Sequence, residues 1–399
     1  MRLSKRALHI KGSLTLEIDA KAKKMKADGL DVIGFGAGEP DFNTPDTIIN
    51  AAKEALNKHY TRYTPVAGSL ELREAICHKL RTDNGLQYTP ENILVSNGAK
   101  HSIFNACQAI LNPGDEVIIP SPYWLSYPEM VKLANGIPVF LETREDDNFN
   151  IDIDKLKELI NEKTKAIIIN SPGNPTGCVY PKGLLSEIAS IAIEENIFII
   201  SDEIYEKLIY DDKEHISIAM LNDDVKELTI VINGMSKAYA MTGWRIGYAA
   251  ANKTIIDVMK NVQSHSTSNP NSIAQYASIA AFKIPDEIIA NFSKEYRQRR
   301  DILVDSINKI SNISCKRPRG AFYVMVNIEK VLGLSYRGEI IEDSLTFCNM
   351  LLDDQMVAAV PGAAFGANNF VRLSYATSIE NIIEGSKRIG AFIENIKNG

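Results

Sequence analysis

Four β-branched runs in the middle of this 399-residue chain are each followed at once by residues that can donate, accept or transfer a proton. Ile93 to Ser96 gives way to Asn97-Gly98-Ala99-Lys100, where a helical pattern opens. Ala166 to Ile169 is followed by Asn170-Ser171-Pro172-Gly173-Asn174-Pro175-Thr176-Gly177, and Ile197 to Ile200 by Ser201-Asp202-Glu203-Ile204-Tyr205. Thr229 to Ile232 leads into Asn233-Gly234-Met235-Ser236-Lys237. Open α/β sheets bind ligands just beyond the carboxyl ends of their strands, so a glycine turn, an amide, a carboxylate, a phenol and an amine converge there. A Gly-Ala turn at a helix start offers backbone N–H groups and the positive end of the dipole to a phosphate. A lysine becomes a working base or nucleophile when burial and nearby cations disfavour its charged form.

Each residue also has a plainer reading. Lys237 could be a surface lysine, Asp202 a helix N-cap, Tyr205 and Trp124 core packing, Arg372 half of a structural salt bridge, and Lys100 a solvated cation. The elements around them favour a site. Ile93 to Ser96, Glu116 to Ile119, Ala166 to Asn170, Ile197 to Ser201, Thr229 to Asn233 and Arg245 to Ala249 read as strands. Amphipathic stretches at Ala99 to Leu111, Leu184 to Glu195 and Ile255 to Val262 alternate with them. That alternation predicts an α/β fold, a mostly parallel central sheet flanked by helices. A long helix from Asp286 to Ile310 and short strands at Ala321 to Asn327 and Phe370 to Ser374 predict a smaller α+β domain. The expected division is a large domain over 46–285 and a small one built from 1–45 and 286–399.

Composition narrows the function classes. A formal net charge of -6 argues against a nucleic-acid surface, and basic runs such as Lys21 to Lys26 read as solvated helix faces. Five scattered cysteines lack metal or redox spacing, so no metal site is expected. No run reaches the roughly 20 apolar residues of a membrane span, and a cytoplasmic location is expected.

The segment Ser236-Lys237-Ala238-Tyr239-Ala240-Met241-Thr242-Gly243-Trp244-Arg245-Ile246-Gly247 resembles the lysine signature of the fold-type I, class I aminotransferases. Asn174-Pro175-Thr176-Gly177, Asp202-Glu203-Ile204-Tyr205 and Arg372-Leu373-Ser374-Tyr375 resemble the same family, in its order. The likeness runs from Ala37-Gly38-Glu39-Pro40-Asp41-Phe42 to Ala376-Thr377-Ser378 and is strongest to the bacterial Iβ aspartate aminotransferase subgroup.

This resemblance implies pyridoxal 5'-phosphate as cofactor, held as an imine on Lys237, whose freed amine then shuttles a proton. Asp202 would pair with the pyridine nitrogen, Tyr205 and Asn174 with the phenolic oxygen, and Trp124 would stack on the ring. Gly98, Ala99, Ser236 and Arg245 would hold the phosphate, with Tyr63 supplied by the partner subunit of a homodimer. Where many relatives have a serine three residues before the lysine, this chain has Gly234. Arg372 would grip the substrate α-carboxylate, with Asn174 and the backbone at Gly38 assisting. Lys100 would meet a distal carboxylate, and Lys11 a further one. The implied reaction moves an amino group between an L-amino acid, aspartate or glutamate, and a 2-oxoacid by a ping-pong route through pyridoxamine phosphate. Two alternatives on the same scaffold are a β-elimination lyase and an aromatic- or prephenate-accepting aminotransferase. A cofactor-sensing regulator is disfavoured, because too few residues precede Gly38 for a DNA-binding domain.

Overall fold

The computed structural model describes residues 3–8, 10, 12, 14–211 and 213–397, so Lys11 lies outside the described residues. Seven strands form the main sheet: β1 (Ile93–Ser96), β2 (Glu116–Ser121), β3 (Ile137–Glu142), β4 (Thr164–Asn170), β5 (Phe198–Asp202), β6 (Thr229–Gly234) and β7 (Gly247–Ala250). Their order is β1-β7-β6-β5-β4-β2-β3. All adjacent pairs are parallel except those of β7, which runs against both β1 and β6. The fold is therefore α/β with a mostly parallel sheet.

Alternation along the inner strands explains why their runs are apolar throughout. Ile168, Ile200, Ile230 and Ile232 pack on one face with Ile103 and Ala106, while Ile167, Ile169 and Ile199 pack on the other with Leu185 and Ile188. A strand covered on both faces needs hydrophobic residues at both parities. Helices α2 (Leu70–Asn84), α3 (Ala99–Ile110) and α4 (Lys182–Glu194) pack on this sheet, whereas α1 (Leu14–Ala27) and α5 (Asp286–Ile307) pack on the C-terminal part of the chain. Of these, α3 and α4 cover opposite faces of the sheet.

Two strand expectations are corrected. β3 has no counterpart among the expected strands, because it pairs only with β2, exposes Ile137 and Phe140, and contains Pro138. An edge strand lacks the two-sided apolar run that marks the inner ones. The strand expected from Arg245 begins instead at Gly247, since Arg245 closes a short 3₁₀ turn in the left-handed region at φ 57°.

In the C-terminal part, Tyr323–Asn327 and Phe370–Ser374 pair antiparallel within a four-stranded sheet. The first of these starts after Ala321, whose φ of 57° breaks the extended backbone, and α5 stops three residues short of the expected Ile310. Near the N-terminus, Ile33–Gly34 pairs in parallel with Val357–Ala358, which brings the two ends of the chain together. Lys21, Lys23, Lys24 and Lys26 are exposed on α1. All five cysteines are free, and among the described residues no helix is long and apolar enough to cross a membrane.

Candidate active site

The carboxyl ends of β1, β4, β5 and β6 open on a cavity of about 590 Å³. Its wall includes Gly38, Ala99, Lys100, Trp124, Asn174, Asp202, Tyr205, Ser236, Lys237, Arg245 and Arg372, which are residues from eleven positions spread over most of the chain. Thr15, Asp19 and Lys23 of α1 reach the same space.

One end of the cavity is built for an anion. Gly98 caps α3 at φ 85° without a side-chain cap, so the N–H groups of the first turn, Ala99 and Lys100, have no intrahelical partner. The turn can sit there because Gly247 is bare: a Cβ on it would collide with the amide nitrogen of Ala99. Arg245 lies over the same turn, donating to Thr242 O at 2.8 Å and Asn97 O at 3.3 Å, and a Cβ on Gly98 would strike its guanidinium. Ser236 is buried beside them. Gly234 is the register partner of Gly247, and a Cβ on it would stand 2.8 Å from the Gly247 Cα. That close approach explains why no hydroxyl-bearing side chain occupies the position.

The next wall holds a buried acid and a buried phenol. The Asp202 carboxylate accepts from Tyr127 OH at 2.6 Å and from the Ile204 N–H at 3.2 Å, and Asn170 Nδ2 fixes the Asp202 carbonyl at 2.9 Å. Burial raises its pKa to about 6, against the lowering effect of Tyr127 and the Ile204 amide. Among the described residues Asp202 has no ion-pair partner, so a buried carboxylate faces the cavity without a cation. Tyr205 OH meets Tyr323 OH at 3.0 Å, and burial pushes its pKa well above the usual phenol value.

Lys237 sits between these groups. Its ammonium donates to the Gly38 carbonyl and lies 5.8 and 5.7 Å from the centres of the Tyr205 and Phe322 rings. Burial brings its pKa down to about 8; Glu39 opposes this while Arg372 and Arg245 add to it. An amine so poised exchanges protons near neutrality.

Arg372 is 3% exposed. Nη1 donates to Asn174 Oδ1 at 3.1 Å, Nη2 to Gly36 O at 3.0 Å, and Nε has no partner. The guanidinium lies against Tyr323 and Phe365, with ring centres 4.4 and 4.9 Å away. Among the described residues it has no carboxylate partner, which rules out a structural salt bridge as its reason for being there. A buried, incompletely paired cation on a cavity wall calls for an anionic ligand. The backbone contact to Arg372 comes from Gly36 rather than Gly38, whose carbonyl is turned to Lys237.

Lys100 is exposed at the rim with its ammonium 4.9 Å from the Trp124 ring centre. Trp124 meets Tyr127 edge-on at 5.2 Å, which links the ring wall to Asp202. Tyr63 is 91% exposed and does not line the cavity of its own chain. Sequence reasoning missed Tyr127, Tyr323 and Glu39. Neither Tyr127 nor Tyr323 carries a local signal, because what places them is a contact with a distant segment. A pyridoxal phosphate fits this set: an anion-ready helix turn, an unpaired buried carboxylate for a ring cation, and a poised amine between them.

One further cluster, Glu203, Glu206 and His215, brings three possible metal ligands within 4.8 Å of one another. The Lys79 ammonium already sits on Glu206, so a cation of the protein's own fills the role of an ion there.

A family model described as aminotransferase class I and II matches residues 30–389. An aspartate aminotransferase of Bacillus sp. strain YM-2 is 48% identical over 392 residues, spanning 98% of this chain and 99% of its own. A probable aspartate/prephenate aminotransferase of Aquifex aeolicus is 44% identical over 396 residues, covering 99% of both. Among solved structures, the aspartate aminotransferase from Rhizobium meliloti superposes with a TM-score of 0.96 at 39% identity, covering 100% of both chains. The Thermus thermophilus aspartate aminotransferase with maleate gives 0.93 at 42% identity, over 98% of this chain and 100% of that one.

Proposed function

Because the chain belongs to the aminotransferase class I and II family, we propose that it moves the amino group of aspartate or glutamate to a 2-oxoacid in a ping-pong reaction. It is an enzyme, and its cofactor is pyridoxal phosphate. The observation that carries the substrate reading is Arg372, a buried guanidinium with a free Nε, in one cavity with a lysine of lowered pKa.

When bound, the cofactor supplies an aldehyde that takes up the amino group and a ring that draws electrons from the α-carbon. Gly98, Ala99, Ser236 and Arg245 hold its phosphate, joined by Tyr63 from a second subunit. Lys237 would hold it covalently, and its Nζ would carry the α-proton. Asp202 keeps a positive charge on the ring nitrogen, with Tyr127 fixing the carboxylate that does so. Tyr205 and Asn174 donate to the phenolic oxygen, and Trp124 covers the ring face.

Arg372 grips the α-carboxylate, freeing the geometry from chance orientation. Lys100 at the rim answers a distal carboxylate, a reading supported by the maleate complex of the Thermus thermophilus relative, since maleate is a dicarboxylate. Names of relatives such as the Aquifex aeolicus protein support prephenate as an additional acceptor, with Lys11 as the candidate contact. A homodimer is supported by Tyr63 at 91% exposure, alongside the exposed Leu56, Tyr60 and Leu70. The division at residues 45 and 285 is supported by the pairing of the two chain ends, and a cytoplasmic location by the five free cysteines. The direct test is a donor screen: aspartate with 2-oxoglutarate should turn over faster than any neutral donor. Release of ammonia in place of amino transfer would overturn the reading.

A further inference from the structure

The segment carrying Asp202 and Tyr205 has two faces. Asp202 and Tyr205 line the cavity, while their neighbours Glu203 and Glu206 line none of it and are 1% and 9% exposed. Alternation at the end of β5 sends Asp202 and Glu203 to opposite sides, and the turn that follows separates Tyr205 from Glu206 in the same way. Glu203 receives His215 Nε2 at 2.9 Å and the hydroxyls of Ser217 at 2.7 Å and Ser201 at 2.8 Å. Glu206 pairs with the Lys79 ammonium and accepts from Asn84 Nδ2 at 2.9 Å, and Lys79 in turn donates to Asn84 Oδ1 at 2.7 Å. Beside them Lys207 bonds Asp83 at 2.6 Å. The last turns of α2, holding Lys79, Asp83 and Asn84, are thereby tied to the reverse side of the segment at three points.

Buried ions gain little net stability over a well-packed apolar core. What they impose is geometry, since Glu206 cannot shift without leaving the Lys79 charge unpaired, nor Glu203 without stranding His215 and two hydroxyls. Asp202 and Tyr205 are each covalently next to one of these locked carboxylates.

We propose that Glu203 and Glu206, locked by His215 and Lys79, are positioning residues that set where Asp202 and Tyr205 stand against the bound cofactor. This rests on the amino-transfer reading of the cavity. None of the four groups touches the substrate space, so the effect runs through Asp202 and Tyr205 alone.

The test uses the cofactor-loaded enzyme. Lys79→Met with Glu206→Gln removes both charges together, which spares the fold an orphaned ion. Asn84→Ala removes only one tie, and Ile188→Ala on α4 serves as a control that loses stability away from the cavity. In the paired variant kcat should fall about 10- to 100-fold with KM within about twofold, as expected when a reacting group is displaced. The pH at which the bound cofactor changes absorbance should move by about half a unit or more, because it reports the charges facing the ring. Asn84→Ala should give the same split at smaller amplitude, and Ile188→Ala neither change. A paired variant with lower melting temperature but unaltered kcat and absorbance titration would overturn the proposal, as would equal losses in Ile188→Ala. The absorbance arm needs no turnover, so it tests positioning even if the amino-transfer reading fails.

Discussion

Arg372 Nη1 donates to Asn174 Oδ1 at 3.1 Å, joining the cation of the C-terminal sheet to the loop that follows β4. The amide thereby faces two ways, toward the guanidinium and toward the cavity that holds Lys237. In the proposed reaction this connected pair would address both the substrate carboxylate and the cofactor ring.

Arg372→Lys should lower kcat/KM for aspartate by roughly 100-fold or more. A lysine offers a point charge in place of a planar fork and leaves Asn174 and the Gly36 carbonyl without their donors. Steady-state kinetics across carboxylate-bearing donors check this. A change within twofold would remove Arg372 from the substrate site.

Tyr127→Phe should weaken function through Asp202. The Tyr127 hydroxyl lowers the Asp202 pKa against burial, so its loss lets that value climb further above about 6. In the cofactor-free site the ionised fraction near neutrality then falls, and the pH below which cofactor binding weakens moves upward. Loss of one bond to a buried charged group corresponds to about 10- to 100-fold in cofactor affinity. Cofactor binding with unmoved pH dependence would contradict the role.

Lys237→Met should make the cofactor-free protein more stable at pH 7. The lysine pKa is lowered from 10.5 to about 8 in the folded chain, so between these values the unfolded state binds more protons. The Lys237 contribution to the stability of the cofactor-free wild type therefore rises as pH goes from about 8 toward 10.5, opposite in sign to that of the cysteines whose thiol pKa values burial raises, and below 8 its full penalty is present. That penalty is on the order of a few kcal/mol. Denaturant melts of wild type and variant at pH 7 and pH 10 check this: the variant's advantage should be largest at pH 7 and shrink toward pH 10.

Lys100→Ala should reduce kcat/KM for aspartate about tenfold or more while changing an aromatic donor by much less. Its ammonium stands at the rim beside Trp124. Equal losses on both donors would withdraw the distal-carboxylate role.

Much of this was legible before the structure because function and fold share a rule: inner parallel strands are apolar runs, and their ends carry the chemistry. Asp202, Tyr205, Lys237 and Asn174 each follow such a run, and the structure brings all four to one cavity. The edge strand Ile137–Glu142 was illegible because exposure on one side dilutes its pattern. Arg245 reads as extended until its left-handed turn is seen. Tyr127, Tyr323 and the Lys79–Glu206 pair depend on contacts between distant segments, which no local spacing encodes.

Every role proposed for the cavity depends on the cofactor being bonded to Lys237. Borohydride reduction of the cofactor-loaded enzyme, followed by digestion and mass mapping, fixes the cofactor to whichever lysine carries it. A single modified peptide containing Lys237 is expected, with no modification after prior incubation with excess aspartate. Label on another lysine, or label on Lys237 that aspartate leaves unchanged, would contradict it.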